Sequence, residues 1–341
     1  MTSETMTKEQ QSALPQQIGR MASGYWISQA LRCAAQLNIA DHLKEKSRSA
    51  EELAERCKAQ SGPLYRLLRA LASAGIFRED AKRRFSLTPL AELLRSNHPH
   101  SQKSFVLMIT GPSYQAWANL GYALETGNAA FDKTHGMGLF KYLTAHPETG
   151  KIFDAAMTGI HGGETQPMID AYDFSVFKTV ADIGGGNGLT LAAVLNHYAG
   201  VNGILFDLPQ VVKRAVPIIT QSGLADRVRL EGGDFFREVP KADAYVLRHI
   251  VHDWSDDGAA AILRNCRTAM NKGGKVLIVE TVIPVDNEPC FGKWLDLMML
   301  VIGGKERTAE QYKLLLEEAG LKLSRIIPTS AAISIVEGVA D

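Results

Sequence analysis

Thr179-Val-Ala-Asp-Ile-Gly-Gly-Gly-Asn-Gly188, continued by Leu189-Thr-Leu-Ala-Ala-Val-Leu195, is the stretch on which the reading of this chain turns. A short apolar run predicts a buried strand, the glycines a tight turn, and the apolar segment from Leu189 a helix packed back on a sheet. Strand, turn and helix in that order build a site for a nucleotide-like ligand.

The glycine spacing narrows the ligand. A dinucleotide turn follows G-x-G-x-x-G, with the third glycine letting helix and strand approach closely. Counting from Gly184 and Gly186 puts Leu189 at that place, so the dinucleotide pattern fails. Asp182, Gly184, Gly186 and Gly188 instead form D-x-G-x-G-x-G, which resembles the first motif of the class I S-adenosylmethionine (SAM) methyltransferases. A carboxylate at Asp182 suits a ligand that carries an ammonium and a sulfonium. Val201-Asn-Gly-Ile-Leu-Phe-Asp207 reads as the next strand, with Asp207 where such folds place an acid on the ribose hydroxyls; Asp207-Leu-Pro also reads as a helix cap before Pro209.

The chain has 341 residues, enough for a large domain and a smaller one. Lys plus Arg equals Asp plus Glu at 37 each, so no global field favours a polyanion or an anionic membrane. Cys33, Cys57, Cys266 and Cys290 are scattered without a C-x-x-C pair, as expected of reduced thiols in a cytoplasmic protein. No apolar run approaches membrane-spanning length.

Outward from the glycine turn, residues 1–17 are polar and aperiodic and are expected to be a flexible tail. Apolar residues from Ile18 to Leu43 recur at helical spacing. Ser49-Ala-Glu-Glu52 is a capping box, Pro63 starts a further helix that stops at Gly75, and Ile76 to Thr88 alternates about a polar turn as a hairpin. Helices plus a hairpin make a winged-helix pattern over 18–100; the positive charge of Arg66, Arg69, Lys82, Arg83 and Arg84 is offset by Glu51, Glu52, Glu55, Glu79 and Asp80, which argues against nucleic acid. Residues 101–170 read as a helical linker in which Phe105, Met108, Tyr114, Trp117, Leu120, Leu124 and Phe140 are mostly core, and Gly162-Gly163 with Pro167 punctuates the crossing into a catalytic domain over 171–341. There, candidate strands at 179–183, 202–208, 228–234, 243–250, 275–283, 321–328 and 332–338, with helices between the first six, imply a mostly parallel sheet closed by an antiparallel pair.

Ligands of open α/β sheets sit beyond the carboxyl ends of the strands, where Asp182, Asp207, Asp234, His252 and Glu280 all fall. His249-x-x-His252 with Asp253 has no third ligand at characteristic spacing, and strand parity points His249 elsewhere, so no metal is expected. His252-Asp-Trp-Ser-Asp256, Glu280 after the fifth strand and Glu306 in Gly303-Gly-Lys-Glu-Arg-Thr308 resemble, in order, motifs of the small-molecule O-methyltransferases of the caffeate and hydroxyindole type. The resemblance runs from about Ile18 to the end. It implies a Rossmann-like seven-stranded class I methyltransferase domain and an N-terminal, winged-helix-like α-helical domain that forms a homodimer.

It implies further that SAM is the cofactor, leaving as S-adenosylhomocysteine (SAH), and that a hydroxyl of a small aromatic molecule is methylated. His252 is then the general base, with Glu280 and Glu306 holding its ring. Gly184, Gly186, Asp207, Leu208, Asp234, Phe235, Arg248 and Trp254 join Asp182 around the cofactor; Phe153, Met157, Asp253 and Met299 meet the acceptor. An imidazole of pKa about 6.5 is free to take a proton from a phenol of pKa about 10. Two alternatives stay open: a SAM-binding relative with hydroxylating, decarboxylating or pericyclic chemistry, and a winged-helix regulator that senses a small molecule.

Overall fold

The computed structural model describes residues 8–340, which divide into two compact units: the chain up to Tyr114 with His146–Gly159, and Gln115–Ala145 with Ile160 onward.

In the first unit, helix Ala50–Cys57 opens with the expected box, Ser49 accepting from the Glu52 amide while the Glu52 carboxylate takes the Ser49 amide. Helix Ser61–Ser73 buries Leu64, Leu68 and Leu71. Strands β1 (Arg48–Ser49), β2 (Phe77–Glu79) and β3 (Arg84–Leu87) pair antiparallel in the order β1-β3-β2, and Leu53, Leu68, Phe77 and Phe85 fill the core beneath them. The expected flexible tail is corrected by a helix over Lys8–Ala22; residues 1–7 of that tail lie outside the described residues. Lys, Glu, Gln, Ala and Leu are good helix formers without any apolar period, even around Pro15.

The second unit is built on seven strands: β4 (Thr179–Ile183), β5 (Asn202–Asp207), β6 (Val228–Gly232), β7 (Ala242–Arg248), β8 (Met270–Glu280), β9 (Lys322–Pro328) and β10 (Ser334–Val339). Their order is β6-β5-β4-β7-β8-β10-β9, with β4 to β8 parallel and β10 antiparallel to both its neighbours. The chain steps outward from β4 to β6 and then returns to the other side of β4, so the crevice above β4 and β7 is the switch point at which such sheets hold ligands. Two apolar layers sandwich the sheet. One contains Val180, Leu191, Leu195 and Leu205; the other contains Ile183, Leu247, Ile262, Leu263 and Ile278. Each such side chain contributes roughly 1.5–3 kcal/mol by burial.

Three expectations give way here. Residues 233–241 cross from β6 to β7 without a helix, since nine residues, at up to about 3.5 Å each when extended, can run back along the sheet to the start of a parallel strand. Helix Pro147–Ala171 runs unbroken through Gly162, Gly163 and Pro167. The proposed core of the linker is half-buried or exposed, Leu124 at 67%, while Ala116, Ala123, Ala130, Phe131 and Leu139 are buried. The helices there are six or seven residues long, and each turn resets the face that a long-range period would predict. Among the described residues no helix is long and apolar enough to cross a membrane.

Candidate active site

Gly184, Gly186 and Gly188 all take positive φ. At Gly184 a Cβ would stand 2.4 Å from Ile250 Cδ1, so the first turn residue is glycine for both conformation and space. Asp207 Oδ2 accepts from the Gly186 amide at 2.9 Å and its Oδ1 from Leu208 N–H at 2.7 Å. The carboxylate at the end of β5 thus braces the turn after β4.

Asp182 is 3% exposed and its Oδ2 has no hydrogen-bond partner among the described residues. Burial pushes its pKa up to about 7, with Arg248 opposing and Asp207 reinforcing the rise. A buried acceptor of this kind suits a cationic group of a ligand, so the glycine cradle and Asp182 fit a SAM amino-acid end. Asp234 is exposed and holds the Phe236 amide at 2.9 Å. Phe235 meets Trp254 edge-on at 6.0 Å, and Phe140 stacks on Trp254 at 6.1 Å. Arg248, 4% exposed, donates Nη1 to Thr165 and Thr190 and Nη2 to the His161 carbonyl and Glu164.

His252 sits in a short 3₁₀ turn (Val251–Asp253) just past β7 and is buried. Its Nδ1 lies 2.7 Å from Glu306 Oε1 and its Nε2 3.7 Å from Asp253 Oδ1. The ring is therefore held between two carboxylates, but the second is Asp253, which the sequence assigned to the acceptor. Glu280, expected at the ring, instead accepts the amides of Ile250 and His252 at 3.0 Å each and the Tyr312 hydroxyl at 2.7 Å. The loop after β7 folds across the end of β8, so this carboxylate meets backbone first. Burial alone would lower the imidazole pKa; Asp253, the Glu306 hydrogen bond and the Glu280 charge override it and push His252 up to about 10. Burial raises Asp253 to about 6 against the pull of His252.

Arg307 is fully buried and was not foreseen. It donates to the carbonyls of Val251, Trp254 and Lys305 and to Asp256, tying the His252 turn to the Glu306 segment. His249 was expected to point away, yet its φ of 51° ends strand alternation. Its ring lies 5.2 Å from that of His252 and 5.3 Å from His161, and its Nε2 bonds Glu164 at 2.8 Å. His161, Glu164 and Thr165 share one helix face at i, i+3 and i+4, the one signal in the sequence that could have gathered them. Met299 is buried on helix Phe291–Ile302 and its carbonyl takes the amides of Gly303 and Gly304. Phe153 and Met157 lie one turn apart on helix Pro147–Ala171, in the first unit. Among the described residues no cluster of His, Cys, Asp and Glu could hold a metal.

Residues 117–322 match the O-methyltransferase domain family and residues 20–97 the O-methyltransferase dimerisation domain. The chain is 45% identical to a phenazine O-methyltransferase of Lysobacter antibioticus over 93% of this chain and 94% of that one. It superimposes on the crystal structure of LaPhzM with a TM-score of 0.92 at 44% identity, covering 96% and 99% of the two chains. It is also similar, at TM-score 0.84 and 32% identity over 92% and 96%, to NcsB1 from neocarzinostatin biosynthesis in complex with SAH and 1,4-dihydroxy-2-naphthoic acid.

Proposed function

The chain belongs to the O-methyltransferase family, and from that premise we propose that His252 is the general base for methyl transfer from SAM to a phenolic hydroxyl of a small aromatic molecule. The observation that carries the reading is the 2.7 Å contact of His252 Nδ1 with Glu306, at the switch point beside the glycine turn. When bound, SAM supplies a methyl group activated on a sulfonium.

The chain's own residues do the rest. Glu306 fixes the Nδ1 face of the ring, so that Nε2 is the nitrogen that meets the acceptor hydroxyl. The carboxylates around His252 favour its protonated form. The positive charge that SAM carries at sulfur would oppose that proton and free the imidazole for general-base work, typically worth roughly 10²–10⁴-fold. Nε2 would take the phenolic proton as the oxygen–methyl bond forms and the sulfur–methyl bond breaks, SAH leaving as a neutral thioether along a line that binding sets. Glu280, through the amides of Ile250 and His252, positions the turn.

Around the cofactor the proposal assigns Asp182, Gly184, Gly186 and Leu208 to the cradle, Asp207 to the ribose, Asp234 to the adenine amine and Phe235 and Trp254 to the adenine faces. Phe153, Met157, Asp253 and Met299 are assigned to the acceptor on the family resemblance. The acceptor class rests on similar enzymes, a phenazine O-methyltransferase and one crystallised with a dihydroxynaphthoic acid. A homodimer through the N-terminal domain is supported by the dimerisation match and by Ile18, Met21, Tyr25 and Trp26, all at least half exposed in the single chain. A cytoplasmic location is supported by four free thiols.

Incubating the protein with methyl-labelled SAM and a panel of fused-ring phenols, with products identified by mass, tests the reading. A singly methylated ether is expected; label on carbon or nitrogen alone contradicts it.

A further inference from the structure

Six buried side-chain polar atoms lack a partner among the described residues, and three of them share one corner of the second unit: His161 Nε2, Asp182 Oδ2 and Arg248 Nε. Asp182 pairs in register with Val246 on the adjacent strand, so Arg248, two residues on, projects to the same face of the sheet. Arg248 Nη2 takes the His161 carbonyl at 2.8 Å, and the His161 ring lies flat on that of His249, 5.3 Å away at 8°. Thr190, in the first turn of the helix that follows the glycines, accepts from Arg248 Nη1 at 3.0 Å.

Orphaned buried groups are expensive, and a ligand that completes a cluster of them recovers that cost. Arg248 Nε can only donate, so the ligand atom facing it must accept. Burial, with Arg248 and His249 alongside, pushes His161 down to about 3, so its ring is neutral and has one N–H to offer. Asp182 Oδ2, once ionised, can only accept, so it calls for a donor. Glu164 also engages Arg248. Its Oε2 is engaged by Arg248 Nη2 at 2.9 Å and His249 Nε2 at 2.8 Å, which offsets its charge.

Two donors set against one carboxylate describe the two ends of an α-amino acid. We propose that His161 Nε2 and Arg248 Nε together bind the carboxylate of the cofactor's amino-acid end, while Asp182 binds its ammonium. The inference rests on the SAM reading above and assigns His161 a role that the motifs do not. His161 is a binding residue in this scheme and takes no part in proton transfer.

The test is calorimetric and needs no turnover: SAH and decarboxylated SAH are titrated into the wild type, His161→Ala and His161→Gln. The wild type should bind SAH at least about 10-fold more tightly than the decarboxylated ligand. His161→Ala should weaken SAH by about 10- to 100-fold, as expected for a hydrogen bond to a charged group, while leaving the decarboxylated ligand unchanged. His161→Gln, which retains an N–H donor, should recover part of the loss. Equal weakening of both ligands by His161→Ala, or no weakening of SAH, overturns the proposal. If His161→Ala does not fold, the wild-type ratio decides alone, and a ratio near one overturns it. A wild type that binds neither ligand overturns the SAM reading and this proposal with it.

Discussion

Asp253 Oδ1 stands 3.7 Å from Nε2 of His252, whose other nitrogen is held by Glu306. The carboxylate at Nε2 favours the imidazolium and thereby sets the pH at which the base becomes available. Asp253→Asn removes that charge and should lower the His252 pKa from about 10. Imidazole resonances followed by NMR against pH in ligand-free protein would show the titration moving down; an unmoved titration would show that Asp253 is not electrostatically coupled to the ring.

SAM and SAH differ by one positive charge at sulfur. His252 should titrate lower in the SAM complex than in the SAH complex, by about one pH unit or more for a charge within several ångströms. The same labelled histidine, observed in both complexes, gives the comparison. Equal values would remove the charge at sulfur as the reason that the ring acts as a base.

The raised His252 pKa also affects stability. Because its folded value lies above the unfolded 6.5, its contribution is present in full below about pH 6.5 and is lost as pH rises towards about 10. Glu306→Gln keeps a hydrogen-bond acceptor but no charge, so thermal melts of this variant should fall less steeply between pH 7 and 10 than those of the wild type. Its kcat should drop roughly 10- to 100-fold, the effect of a lost charged hydrogen bond.

Arg307 carries the connection between the two halves of the dyad. Arg307→Met leaves the carbonyls of Val251, Trp254 and Lys305 without this donor, and the variant should lose about 3 kcal/mol in denaturant unfolding. Arg307→Lys keeps the charge but cannot span all the acceptors, and should be intermediate.

Far from the site, Glu337 on β10 is 1% exposed and accepts from Tyr172, Lys275, Ser324 and Arg325. Burial opposes its charge, but these donors hold its pKa down at about 2. Its stabilisation is therefore present above the ordinary glutamate value near 4.5 and lost as pH falls towards 2. Glu337→Gln should flatten acid unfolding in that window, measured by circular dichroism.

How much of this was legible in the sequence depended on whether a residue's neighbours in space were also its neighbours in the chain. β4 matched its expected span residue for residue, because its apolar run and glycine turn are contiguous. The antiparallel closing pair followed from a connection too short for a crossover helix. Glu280 was placed at the right strand end but given the wrong partner, since backbone amides do not show in a motif. His249 was misdirected because parity assumes extended backbone, and its φ of 51° breaks that assumption. Tyr312 and His161 join the site only through the packing of distant segments, and Arg307, although next to Glu306 in the chain, acts through carbonyls of the distant His252 turn.

The most direct test of the central claim pairs SAH calorimetry with a product assay on His252→Ala. SAH affinity should stay within a few-fold of wild type, and methyl transfer to a phenol should fall by roughly 10²–10⁴-fold. Unchanged turnover in a variant that still binds SAH would contradict a general-base role for His252.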